Sequence, residues 1–181
     1  MLQITIPPRE FWDEKNEVFI NFKGQTLTLE HSLVSLSKWE AKWHKPFMSK
    51  ETKTTEETFD YIKCMTLTQN VSDEVYNYLT VDNLKQVNAY IEDPMTATTI
   101  TEHNPQRGGR GETVTSELIY YWMIALQIPF ECQKWHINRL LTLIRVCNIK
   151  NQPPKKHSQR EIMSRNAALN AARKKQFNTT G

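Results

Sequence analysis

With 181 residues, 39% of them hydrophobic, the chain can bury one core, but it lacks the ~20 consecutive apolar residues that a bilayer-crossing helix needs. Cys64, Cys132 and Cys147 are odd in number and show no CxxC spacing, which excludes a disulfide scaffold and reads as reduced thiols of a cytosolic protein. The formal net charge of +3 hides a split: from Lys150 onward eight basic residues meet one acid, Glu161, for +7, while residues 1–149 sum to −4. An acidic body with a basic tail points to an anionic partner for the tail.

Leu2, Ile4 and Ile6 alternate with polar residues at the period of a half-buried strand, and Pro7-Pro8 stops it. Nothing around Met1 reads as a signal peptide: no basic n-region and no small-residue cleavage site follow it. Val18, Ile20 and Phe22 alternate again, as do Leu27 and Leu29, with Gly24 suited to a turn between them. Residues 1–30 are therefore expected to form a small antiparallel sheet of two or three strands, covered on one face by the next helix.

That helix is capped by Ser32 and carries Leu33, Leu36, Trp39 and Trp43 on one face, ending before Pro46. A polar link over 49–58 follows. Thr54 and Glu57 then form a capping box opening a helix with Phe59, Ile62 and Met65 or Thr66 inward. Ser72 starts a short helix through Leu79, and Leu84, Val87 and Ile91 mark another that closes at Asp93-Pro94. Residues 96–112 show no period and contain Asn104-Pro105 and a run of Arg and Gly, the pattern of a surface loop.

Residues 113–147 are the most apolar stretch. From Leu118 to Leu126 every residue is apolar, so a helix there is expected to be covered on all sides. Trp135, Ile137, Leu140, Leu141, Ile144 and Cys147 then recur at helical spacing, predicting an amphipathic helix over 131–148. The short connector through Pro129 makes the two an antiparallel hairpin spanning 113–148. After Pro153-Pro154, Ser158 and Glu161 give a second capping box, opening an alanine-rich helix over 159–176 with a thin apolar stripe. The expectation is a mainly α protein with a small N-terminal antiparallel β-sheet (α+β): residues 1–30 as a β element, 31–149 as a helical body, and 150–181 as a projecting basic helix.

Catalytic and metal chemistry find little footing. The loop over 107–111 resembles a phosphate loop only in its glycines, since Glu112 stands where a phosphate-reaching Lys is needed. Cys132 and His136, four apart on the expected helix, make one ligand pair where zinc needs four groups. No GxSxG elbow occurs. The expectation is a non-enzymatic protein without cofactor or metal. Trp39 and Trp43, interleaved with Lys38, Lys42 and Lys45, could stack on a partner, although their spacing also makes one helix face and favours a core role. In the tail, Lys155, Lys156, Arg160, Arg165, Arg173, Lys174 and Lys175 spread around the helix rather than along one stripe.

The segments SLSKWEAKWHKPF, YIEDPMTATT, SELIYYWMIALQIPFECQKWHINRLLTLIRVC and REIMSRNAALNAARKKQ resemble a family of tailed-bacteriophage proteins from the virion morphogenesis region, described as tail assembly chaperones. The resemblance runs from about Thr26 to Gly181 and supplies no catalytic motif and no established binding residues. It implies a host-cytoplasmic protein that shields the apolar helices of the tape measure protein until tail tube protein polymerises around it. The surface beside Trp39, Trp43 and Trp135 is the expected client site, with the basic tail docking on an acidic partner or tuning release. The alternative is a virion structural or head-tail protein whose basic tail meets nucleic acid.

Overall fold

The chain is described by a computed structural model covering residues 1–13, 17–100, 113–152 and 159–178, apart from the side chains of Phe11, Asp13, Ile20 and Glu161. The expected loop over 107–111, the Pro153-Pro154 break and the Ser158 cap lie outside the described residues or rest on them. The fold class is as expected, mainly helical with N-terminal antiparallel strands. Two compact units divide the chain, Met1–Asn148 and Ile149–Gly181.

The first unit begins with four strands rather than two or three: β1 (Leu2–Ile6), β2 (Arg9–Asp13), β3 (Val18–Phe22) and β4 (Gln25–Leu29). β1 pairs with β4 from Leu2↔Leu29 to Ile6↔Gln25, and β2 pairs with β3 from Arg9↔Phe22 to Asp13↔Val18. Both pairings keep one register, so the strands form a single two-arm ribbon interrupted where Pro7-Pro8 faces Lys23-Gly24. A proline has no N–H for the ladder, which is why the ribbon breaks there. Gly24 is thus not the expected hairpin turn. It sits at φ +77°, where a Cβ would stand 2.9 Å from both Ile6 O and Pro8 N. β2 escaped the sequence reading because Arg9-Glu10-Phe11-Trp12-Asp13 shows no clean alternation.

The proximal arm is anchored and the distal arm is open. Ile4, Ile6, Leu27 and Leu29 are fully buried. Their partners are residues from α2 (Thr55–Met65), the 3₁₀ turn Asp73–Tyr78 and α3 (Val81–Glu92). The free edge of β4 is taken up by the chain leaving α2, through Glu30 N–H to Met65 O at 2.9 Å and Leu67 N–H to Thr28 O at 2.8 Å. In the distal arm Trp12 and Phe19 meet edge to face at 4.8 Å and both remain exposed.

Between β4 and α2 lies α1 (Leu33–Trp43), capped by Ser32 and closed by His44 in the left-handed region. It does not cover the sheet as expected. Leu33 and Leu36 feed a second cluster with Ile119, Met123, Ile137, Leu140 and Ile144, while Trp39 joins the first. α1 therefore stands between both clusters and is the hub of the body. The Thr54–Glu57 capping box opens α2 as expected, but Tyr61 rather than Phe59 reaches the core. α3 starts from a further box, Thr80 with Asn83.

α4 (Ser116–Ala125) corrects the reading of a helix covered on all sides. Ser116, Ile119 and Met123 are buried, whereas Tyr121 and Ile124 are 63% and 62% exposed. Its nearest backbone neighbour is α1, not the following helix. The expected hairpin partner is also shorter: Phe130–Lys134 is a 3₁₀ turn, Trp135 is extended, and α5 runs over Ile137–Asn151. Cys132 and His136 accordingly do not share a helix, and no three His, Cys, Asp or Glu side chains converge as metal ligands among the described residues. In the second unit α6 (Gln159–Phe177) matches the expected tail helix, and every side chain described in it is exposed. Among the described residues no helix is long and apolar enough to cross a membrane.

Candidate functional site

A groove opens on the body where three short-range features meet. The turn after α1 supplies Met48, Ser49, Lys50 and Glu51. The lead into α4 supplies Thr113 and Val114, and α4 itself Trp122. α5 supplies Leu141, Ile144, Arg145 and Asn148. The cavity measures about 1040 Å³ and is partly open to solvent. Met48, Val114, Trp122, Leu141 and Ile144 supply its apolar lining, and Lys50, Glu51 and Arg145 line it with two positive charges and one negative. At 100° per residue, Leu118 and Ala125 lie between Trp122 and the exposed Tyr121 on α4. The apolar surface thus continues from the groove onto the outer side of that helix.

The groove walls are held by one carboxylate. Glu40, buried on α1, accepts the Phe47 N–H on one oxygen at 2.8 Å and the Ser116 N–H on the other at 2.7 Å. Ser116 is the first residue of α4, so the negative charge sits at the positive end of that helix dipole. Thr115 caps the same helix end. One side chain thereby ties the turn that carries Met48 to the helix that carries Trp122.

The α5 wall is fixed by a buried polar seam. Ile137 N–H donates to His31 O at 2.8 Å, and the Asn138 amide donates to Ile91 O at 3.0 Å and Asp93 O at 2.8 Å. His136 Nδ1 lies 3.3 Å from the Asn138 N–H, which donates to it, so the proton is on Nε2 and goes to Tyr90 O at 2.9 Å. The His31 and His136 rings meet edge to face at 5.0 Å. His31 Nδ1 lies 2.5 Å from the Tyr61 hydroxyl, and the Tyr90 hydroxyl donates to Glu30 Oε1 at 2.8 Å. Burial, with a smaller repulsion from His136, pushes the His31 imidazole down to about 3, so it is neutral in the folded protein. Burial likewise raises the Tyr61 hydroxyl well above its ordinary value. Every buried side-chain polar atom described in this way has a partner.

The expected client surface is redistributed by these contacts. Trp39 is 1% exposed and its indole N–H donates to Glu57 O at 2.9 Å, so it is a core residue and presents nothing to a partner. Trp43 is half-buried, with its indole N–H on Asp60 Oδ2 at 2.8 Å. Lys42 and Lys45, the flanking cations, are engaged with Asp60 and Glu57. Trp135 packs on the other cluster, and the Arg139 guanidinium lies 4.3 Å from its ring centre. The three tryptophans therefore do not share one surface. Arg160, Arg165, Arg173, Lys174 and Lys175 are exposed on α6, while Lys155 and Lys156 lie outside the described residues. The sequence reading missed Glu40, His31 and Trp122 as the residues that shape the groove. Glu40 is the one acid on α1 and has no Lys or Arg three or four positions away, which was the available signal.

Comparison with protein-family models, with curated proteins and with solved structures finds no match to this chain.

Proposed function

We propose that this protein is a non-enzymatic tail assembly chaperone of a tailed bacteriophage, which shields an amphipathic helix of the tape measure protein in the cytoplasm of the host until tail tube protein displaces it. The observation that carries this reading is the open apolar groove between α4 and α5, continuous with the exposed side of α4. An amphipathic helix laid in a groove is held by apolar anchors at i, i+3, i+4 and i+7, which is what a floor of Met48, Trp122, Leu141 and Ile144 accepts. Lys50 and Arg145 outnumber Glu51 among the lining charges, and the balance favours a client helix with acidic residues flanking its apolar stripe. The uncovered Tyr121 and Ile124 also fit the reading, because large apolar side chains grouped on a surface mark interaction sites.

The test is co-purification of the full chain with the tape measure protein from its own genome. Leu141→Glu puts a charge into the groove at a half-buried position and is expected to weaken capture at least ~10-fold with unchanged circular dichroism. Undiminished capture by Leu141→Glu would remove the groove from the reading.

A further inference from the structure

We infer that the distal arm of the ribbon joins two copies of this chain, through antiparallel pairing of the outer edge of β3 with the same edge of a second molecule. β2 and β3 form a sheet of two strands only, and such a sheet is marginal in water until further strands or a helix extend it. The proximal arm is completed in that way, because the chain leaving α2 bonds to the outer edge of β4 at Thr28 and Glu30. Among the described residues no backbone bond reaches the outer edge of β3. β3 also leaves Phe19 exposed on one face and Val18 on the other.

The two edges of the arm are built differently. Sheets protect an open edge with proline and with charge. β2 follows Pro7-Pro8 and carries Arg9, Glu10 and Asp13. β3 reads Val18-Phe19-Ile20-Asn21-Phe22 and has neither proline nor charge. One edge is blunted and the other is left open to pairing.

A second copy fits the open edge by charge and by closure. Glu17 and Lys23 flank β3, both exposed and neither in an ion pair among the described residues. An antiparallel β3–β3 pair centred on Ile20 sets Glu17 of each copy opposite Lys23 of the other. Opposite charges facing each other across two strands favour pairing. The same register sets Val18 opposite Phe22, a β-branched residue against an aromatic one, which also stabilises a sheet. The product has four strands in the order β2-β3-β3-β2. Its outer edges are the two blunted ones, so assembly closes at two copies. A helical client cannot take this place, because a helix spends its backbone donors and acceptors internally. A standard interface takes ~20–30 residues a side, and β3 supplies five, so the dimer is a weak one.

The test is sedimentation velocity of the full chain over about 1–200 µM, with residue-resolved hydrogen exchange at both ends of that range. The mass is expected to rise from monomer to dimer and no further. Successive amides of β3 are all expected to gain protection, both those bonded to β2 and those facing outward, whereas alternate amides of β2 stay open. Lys23→Glu sets like charges opposite each other at both ends of the pair and is expected to weaken association about 10-fold. Adding Glu17→Lys to that variant restores opposite charges and the affinity. A monomer throughout the range overturns the proposal, as does growth past the dimer. A dimer whose outward β3 amides stay open, or one that Lys23→Glu leaves equally tight, overturns it too. Protection of β3 only on adding the tape measure protein overturns it in favour of a strand supplied by that partner.

Discussion

Glu40 does at residue scale what neither groove wall does alone. Its two carboxylate oxygens each accept a backbone N–H, one from the turn after α1 and one from the first residue of α4. Glu40→Ala strands both donors, and a buried donor left without a partner costs ~1–3 kcal/mol. The expected loss is about 2–4 kcal/mol by denaturant unfolding, accompanied by weaker client capture. A variant as stable as the natural chain would show that these two bonds are replaced by solvent. Trp39 teaches the complementary lesson. Its spacing with Trp43 allows a core face or a stacking platform, and the indole bond to Glu57 O decides for the core. No local signal marks that acceptor, because Glu57 lies 18 positions along the chain.

At the scale of elements, the β-ribbon depends on a single glycine. Gly24 combines a left-handed backbone with backbone atoms of Ile6 and Pro8 within 2.9 Å of where a Cβ would be. Gly24→Ala meets both obstacles, and neither obstacle is a flexible side-chain tip. The expected cost is about 2 kcal/mol or more, read as a fall in thermal midpoint, with the amides of β1 and β4 losing hydrogen-exchange protection first. Protection lost elsewhere but kept in β1 and β4 would contradict the assignment. α4 is the element whose composition misleads. Nine successive apolar residues predict burial all round, yet the elements of the body pack against one side only. Composition records how much apolar surface a helix has, while the placement of α1 and α5 determines which part of it is covered.

At the scale of the whole body, the seam of His31, His136, Tyr61 and Tyr90 makes stability depend on pH. His31 binds a proton at about 3 when folded, against an ordinary value of 6.5 in the unfolded chain. Between those values the unfolded chain holds the proton and the folded one does not, so stability falls as pH drops below 6.5. The slope approaches about 1.4 kcal/mol per pH unit. Glu30, the nearest acid in the seam, is engaged with the Tyr90 hydroxyl and the Met1 ammonium group, and offers no bond to His31 among those described. Unfolding measured at pH 6 and pH 5 should show the natural chain losing about 1.2 kcal/mol more than His31→Gln. Equal losses would assign the pH dependence to other groups.

The sequence by itself determined the elements whose ends are written locally. Ser32, the Thr54–Glu57 box, Ser72 and the alanine-rich run of α6 placed four helical elements to within a residue or two, because caps and propensities act over three or four positions. The pairing of β2 with β3, the exposed side of α4, the burial of Trp39 and the convergence of Trp122 with Leu141 and Ile144 were decided only by the tertiary structure. Apart from the β2–β3 pairing, a local hairpin whose Asp13 and Val18 are five positions apart and which the weak alternation of β2 hid, each of these depends on segments distant in sequence, and a residue's local pattern carries no information about which distant surface will meet it.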